Sequence, residues 1–366
     1  MFPSPQVASD ALEFQLHVEN TSIETLEREL QEIVDEYIWQ KEPLTLMNPI
    51  TKKMNKNSYM GTMFVGDNIE DEWVATAALF ELTKKHKEIA VQVADADGQF
   101  LLIEAAEALP EWVHPENMNN RVFLQDGKLY LIDQSVGNGH LELPEALNAL
   151  KNDPFKHRAP LQVEKIILER FYNSLTHSMQ TNRHIAQCYV PEAVAIVLQQ
   201  IPSVLAYAVE AFYYRVPAEA TLICRTMKRF SPTKMVTIMV PFTRCMYAQL
   251  KQQVFAPPKP FGVIDNDNQE KMLGMKITCG LELLYASNTK DYNGKLWSSQ
   301  LDLEANKVFE NKPLYKDDDD AWLYVAPESL EETLRKAETR LKKDDHGNGS
   351  AGELENMASM FHSFVQ

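Results

Sequence analysis

The string Gly66-Asp67-Asn68-Ile69-Glu70-Asp71-Glu72-Trp73 crowds five carboxylates or amides into six positions. Side chains of this kind can pass protons or ligate a cation. A structural reading competes. Asp67 or Asn68 fits a helix N-cap, and Glu70, Asp71 and Glu72 then fall in the first turn, where negative charge is favoured by the helix dipole. Gly66 supplies the turn before the cap, and Trp73 faces the core. The structural reading is the stronger, and it leaves Asp67, Asn68, Glu70, Asp71 and Glu72 as a candidate partner surface around a half-exposed indole.

Two further groups could bind rather than react. Arg225, Lys228 and Arg229 stand at i, i+3 and i+4, which on a helix forms a basic stripe for phosphate or for an acidic partner. Tyr213, Tyr214 and Arg215 nearby could stack on bases. Near the C-terminus Leu354, Met357, Phe361 and Phe364 recur at helical spacing behind a Gly-rich spacer. An apolar helix on such a tether fits a partner groove or folds back on the body. His177 and His184 straddle an expected turn and are expected to be exposed. Asp95-Ala96-Asp97-Gly98 resembles the start of a calcium loop, but its glycine comes at the fourth place rather than the sixth.

Phosphate-cradling and dinucleotide glycine strings are absent, as are the nucleophile elbow and the His-x3-His zinc spacing. Four cysteines, Cys188, Cys224, Cys245 and Cys279, form no metal-type pair and no dense framework, which points to a reducing compartment. No catalytic residue, cofactor or metal is expected. The 366 residues are 45% apolar and 24% charged, the composition of a soluble globular chain, and no apolar run is long enough to span a membrane.

The elements that must position these groups read as α+β: an N-terminal mixed sheet with helices, followed by a mostly α-helical domain. Leu12–Val18 alternates as a half-buried strand, and residues 22–38 and 69–86 carry helical periodicity. Strands are expected at 59–65, 89–94 and 100–105, the last two joined through Asp97-Gly98. Another hairpin, 121–125 and 128–133, turns at Asp126-Gly127. Leu101-Leu102-Ile103 is apolar on both faces and suggests a central strand. Beyond the boundary loop at Ser135–His140, helices are expected at 144–151, 161–178, 191–200, 203–214, 218–229, 242–252 and 268–286, with one short strand at 235–240. A charged helix is expected at 328–342.

Charge divides the chain in the same way. The net charge is −16, distributed as −14 over residues 1–140, +6 over 141–260 and −8 over 261–366. A sign reversal of this size suggests units with different surfaces. Three regions are expected: an acidic α+β domain at 1–140, a basic, mostly helical domain at 141–290, and a less regular acidic region at 291–366 with two C-terminal helices. The basic middle can meet RNA or an acidic partner, or dock on the acidic unit of its own chain.

Several strings together carry a family likeness. Tyr37-Ile38-Trp39-Gln40, the acidic string, Asp97-Gly98-Gln99-Phe100-Leu101-Leu102-Ile103-Glu104-Ala105-Ala106, Pro115-Glu116-Asn117 with Asn120-Arg121-Val122-Phe123, Ala211-Phe212-Tyr213 with Arg215, Phe242-Thr243-Arg244-Cys245-Met246-Tyr247-Ala248-Gln249-Leu250 and Leu273-Gly274-Met275-Lys276 resemble the ecdysoneless family, in order and spacing, from about residue 35 to about 286. The resemblance implies a non-enzymatic regulatory factor of cytoplasm and nucleus. It implies links to pre-mRNA splicing through the core scaffold protein of the spliceosome and its small nuclear ribonucleoprotein, to transcription and the cell cycle, and to a RuvB-like chaperone complex. Docking of that complex in animal members uses phosphorylatable serines beside aspartates, and Asp317–Asp320 here has none. Two rival readings are a direct RNA binder using Arg225, Lys228 and Arg229, and a hydrolase using Glu70, Asp71 and Glu72.

Overall fold

The computed structural model describes residues 11–324, apart from 19, 49–57, 96–97, 138–139, 266 and 306. The expected helix at 328–342 and the residues Leu354, Met357, Phe361 and Phe364 lie outside the described residues. Residues Met1–Asp318 and Asp319–Gln366 are separate compact units. In the second, the described part holds one short turn, Ala321–Leu323, with the Asp319 carboxylate accepting from the Ala321 N–H at 2.8 Å.

The fold is α+β, and its first layer is a five-stranded antiparallel sheet. In chain order its elements are β1 (Ala11–His17), α1 (Ile23–Ile33), β2 (Ser58–Phe64), α2 (Ile69–Lys85), β3 (Ala90–Ala94), α3 (Phe100–Glu104), β4 (Val122–Gln125) and β5 (Lys128–Leu131). The strand order is β2-β1-β3-β4-β5. The alternation of β1 does what its period requires. Leu12, Phe14 and Leu16 enter the main core, while Gln15 and His17 are buried on the other side, where His17 Nε2 hydrogen-bonds Gln92 Oε1 at 3.0 Å. Helix α4 (Leu143–Asn152) contributes Ala146 and Leu150 to a second cluster with Phe123 and Tyr130. Helix α5 (Leu161–Asn173) adds Val163, Ile167 and Phe171 to the main core beside Trp73 and Phe80. It runs on through a π turn (Ser174–Ser178) into α6 (Met179–Thr181).

One expected strand is a helix. Asp95 and Gly98 exchange both backbone hydrogen bonds at 3.1 Å, but Phe100–Glu104 then coils into α3 instead of a second strand. Phe100, Leu101 and Leu102 are buried and Ile103 is exposed. A short apolar run does not itself distinguish strand from helix, and packing decided this one.

The rest of the first unit is largely helical and built on a two-stranded ribbon. Strand β6 (Arg183–Pro191) is followed by α7 (Glu192–Gln200), α8 (Val204–Tyr213) and α9 (Pro217–Cys224). Strand β7 (Met235–Thr243) then returns antiparallel to β6, in register from Arg183↔Thr243 to Pro191↔Met235. Helices α10 (Arg244–Gln252), α11 (Gln269–Ala286) and α12 (Trp297–Glu304) complete it. Thr243 caps α10 by accepting from the Met246 N–H at 2.9 Å. Helix α11 is buried from Leu273 through Glu282, and two of its glycines allow close approach. A Cβ on Gly274 would lie 2.0 Å from the Tyr189 carbonyl oxygen, and one on Gly280 would lie 2.1 Å from that of Ala208.

Sequence periodicity does not reveal β6. Its buried face is His184, Ala186, Cys188 and Val190, two of them small or polar, and Ile185 and Tyr189 are on the other side. The alternation is therefore blurred. His184, expected to be exposed, is 1% exposed and stacks on Tyr247 with ring centroids 3.8 Å apart.

Candidate functional site

The acidic string lies where the sheet layer meets the ribbon and its helices. Gly66 takes φ +62°, a left-handed turn that glycine adopts freely, and directs the chain into α2. Asn68 occupies the N-cap position, but its side chain makes no cap bond. Its Nδ2 instead donates to Asp71 Oδ1 at 2.6 Å. Asp71 is fully buried. It also accepts from Tyr37 Oη at 2.7 Å and from the Gln40 backbone N–H at 2.7 Å. Burial pushes its carboxyl up to about 7, against the pull of the Tyr37, Gln40 and Asn68 donors.

From Asp71 the network continues into the second half of the unit. Tyr37 Oη accepts from Asn182 Nδ2 at 3.1 Å. The Gln40 side chain accepts from the Thr243 hydroxyl and donates to Gln249 Oε1 at 3.2 Å. Gln249 Nε2 donates to Asp67 Oδ2 at 2.8 Å, and Tyr214 Oη donates to the same oxygen at 2.9 Å. That bond to Asp67 pushes the Tyr214 hydroxyl up to about 12. Lys41 and Glu210 close the edge at 2.7 Å. Glu70 is held at 2.5 Å by Arg170, whose guanidinium lies 5.0 Å from the Trp73 ring centroid. Glu72 is half-buried in the first turn of α2.

This arrangement is a clasp. A carboxylate with three donors on its two oxygens is held rather than poised, and two of the three, from Tyr37 and Gln40, join it to a segment more than thirty residues away. Among the described residues, no three His, Cys, Asp or Glu side chains gather to hold a metal ion. Sequence reasoning singled out Asp67, Asn68 and Asp71, and Tyr214 in another role, but not Tyr37, Gln40 or Gln249. Tyr37, Gln40 and Gln249 stand in the strings that carry the family likeness, which was the only signal pointing to them.

The basic stripe does not form. Helix α9 ends at Cys224, and Met227 takes φ +43°, so Arg225, Lys228 and Arg229 do not share a helix face. The expected helix over 218–229 is cut short by this reversal, which no glycine marks. Arg229 is engaged inside the fold. Its Nε donates to Asp302 at 2.8 Å, its Nη2 to the Leu301 carbonyl at 3.1 Å, and its backbone N–H to Glu282 at 3.1 Å. Arg215 is likewise used internally, between the rings of Phe212 and Phe255 at 4.2 and 4.9 Å, with Nη1 donating to the Phe212 carbonyl at 2.6 Å. Tyr213 and Tyr214 meet edge to face at 4.9 Å.

Asp317 and Asp318, in the acidic run, lie along the outer edge of β6. Their carboxylates accept from the backbone N–H groups of Gln187 at 2.9 Å and Ile185 at 2.7 Å, and the Asp318 N–H donates to the Ile185 carbonyl at 2.9 Å.

Comparison with known proteins places this architecture. Residues 1–312 match the family described as SGT1 protein. The chain is 31% identical over 373 aligned positions to "Protein ecdysoneless homolog" of Schizosaccharomyces pombe, covering 92% of this chain and 60% of that protein. It is 32% identical to the protein of the same name from Arabidopsis thaliana, covering 85% and 49%. It is 34% identical to "Protein ecdysoneless" of Drosophila melanogaster, covering 65% and 36%. The chain thus spans about a third to three-fifths of the length of these curated relatives. No solved structure matches it.

Proposed function

We propose a function from one premise: this chain belongs to the SGT1 protein family. It is a non-catalytic regulatory protein that acts by binding other proteins. Its task is in pre-mRNA splicing, in the assembly or operation of a spliceosomal small nuclear ribonucleoprotein, with the core scaffold protein of the spliceosome as principal partner. Roles in transcription and the cell cycle follow from the same binding. The chain works in nucleus and cytoplasm, and among the described residues no helix is long and apolar enough to cross a membrane.

The observation that carries the reading is the clasp. The acidic side chains richest in apparent chemistry are occupied within the fold: Asp71 by Gln40, Glu70 by Arg170, and Asp67 by Gln249 across the two halves of the unit. That lowers the standing of a hydrolase built on Glu70, Asp71 and Glu72. The RNA reading loses its motif in the same way, because Arg229 and Arg215 are engaged internally. A RuvB-like chaperone complex is a lesser candidate partner, since Asp317 and Asp318 serve the β6 edge and the run holds no Ser or Thr.

Affinity capture from nuclear extract with the full chain as bait tests the reading. Enrichment of the spliceosomal scaffold and its ribonucleoprotein is expected. Capture no better than with an unrelated acidic bait would refute it.

A further inference from the structure

The two edges of the β6–β7 ribbon are treated differently. The backbone bonds Arg244 N–H to the Asn182 carbonyl and Glu192 N–H to the Lys234 carbonyl fix the pattern of the ladder. In an antiparallel pair, alternate residues turn both polar groups inward or outward. Here the even-numbered residues face inward, and the odd-numbered residues of both strands face outward. On β6 the outward N–H groups of Ile185 and Gln187 are taken by Asp318 and Asp317. Between the ends of β7 the outward residues are Thr237, Met239 and Pro241, and their backbone groups meet no backbone partner among the described residues. Pro241, which has no N–H, falls in this outward set, where a strand tolerates proline.

A cavity of about 620 Å³ adjoins β7. Four consecutive residues, Ile238 to Pro241, line it. Successive side chains of a strand point to opposite faces, so a cavity that touches four in a row must lie along the edge itself. The facing wall is apolar, with Trp39, Leu205 and Met246. Among the described residues, the only charged ones that line it are Lys41 and Lys312, in a chain of net charge −16. Lys41 is shared with Glu210, while Lys312 is exposed.

We propose that this groove binds an extended peptide segment of a partner protein, which adds a strand to β7 through the Met239 backbone, buries alternate apolar side chains against Trp39, Leu205 and Met246, and brings a carboxylate to Lys312. Unpaired main-chain donors along an edge select an extended chain rather than a helix, and side-chain pockets beside them supply specificity. The two lysines select against a basic segment. The inference rests on the reading that the chain works by binding protein, and not on which protein that is.

The test uses the full chain and a display library of random short peptides as probe. Selected peptides are expected to alternate apolar residues around an acidic one, and to slow amide exchange at Thr237 and Met239 of the unaltered protein. Met239→Pro removes a donor that makes no bond among the described residues, and should weaken these peptides about tenfold or more, the equivalent of one hydrogen bond. Met239→Ala should weaken them less, and Lys312→Glu should weaken the acidic ones selectively. The proposal fails if no peptide is selected, or if the exchange footprint falls away from β7. It fails equally if the chain proves to be a dimer in sedimentation that Met239→Pro dissociates, for then a second copy occupies the edge. Spliceosomal capture can fail while peptides still bind β7, and the reverse, so the two readings are separable.

Discussion

The Asp67 carboxylate accepts a hydrogen bond from the Gln249 side chain at 2.8 Å, across 182 residues of chain. Gln249 also accepts from Gln40 and so reaches the Asp71 hub through one further residue. The acidic string therefore ties the start of α2 to α10, and its composition serves assembly of the unit. Expectations about stability follow directly from that geometry.

Asp71 should make stability depend on pH. Its folded value of about 7 lies above the ordinary 3.8. For a raised group, the stabilising contribution is complete below the ordinary carboxylate range and is lost as pH rises through about 7. Asp71→Asn cannot ionise, and it offers an N–H₂ where a donor already points. The variant should be less stable than the parent by about 1–3 kcal/mol at pH 5, and the gap should narrow by pH 8. Urea denaturation of both proteins at both pH values measures it. An identical gap at both would show that Asp71 does not titrate in this window.

Gly274→Ala should destabilise by about 1–3 kcal/mol, because the new methyl meets the Tyr189 carbonyl oxygen at 2.0 Å and rigid backbone must move. In a helix interior alanine is otherwise favoured over glycine by about 1 kcal/mol. A stabilised variant in denaturant titration would mean that α11 and β6 are not in contact.

Charge reversal should separate two of the former stripe residues. Arg229→Glu places a carboxylate beside Asp302 and Glu282, and should cost about 2 kcal/mol or more. Arg225→Glu, at an exposed position, should change stability by about 0.5 kcal/mol or less. Equal effects in thermal melts would contradict the placement of Arg229.

Of the four thiols, Cys245 alone is not fully buried. Burial pushes it up to about 11, so little thiolate is present at neutral pH. A thiol reagent should label one cysteine slowly in the folded protein and all four in denaturant. Rapid labelling of Cys188, Cys224 or Cys279 would contradict the packing around α11 and β6.

Much of this architecture is legible in the sequence, for physical reasons. Strong periodicity identifies β1 and α1, and the Asp126-Gly127 pair marks the β4–β5 turn, where both residues take positive φ. Short apolar runs carry no such information: Leu101-Leu102-Ile103 fits a strand as well as the helix it forms. Strand β6 is hidden by His184 and Ala186 on its buried face, and α9 ends at a left-handed Met227 rather than at a glycine. The candidate site divides along the same line. Local chemistry identifies Asp67, Asn68 and Asp71, but the donors that occupy them come from Tyr37, Gln40, Tyr214 and Gln249, and pairings over such distances leave no local trace.

The central claim, that the acidic string is a clasp between two halves, is tested most directly by a double-mutant cycle on Asp67→Ala and Gln249→Ala, read by urea denaturation. A coupling of about 0.5–1 kcal/mol or more is expected for side chains in contact within one network. Strict additivity, within about 0.3 kcal/mol, would show that the two residues do not hold each other and would contradict the clasp.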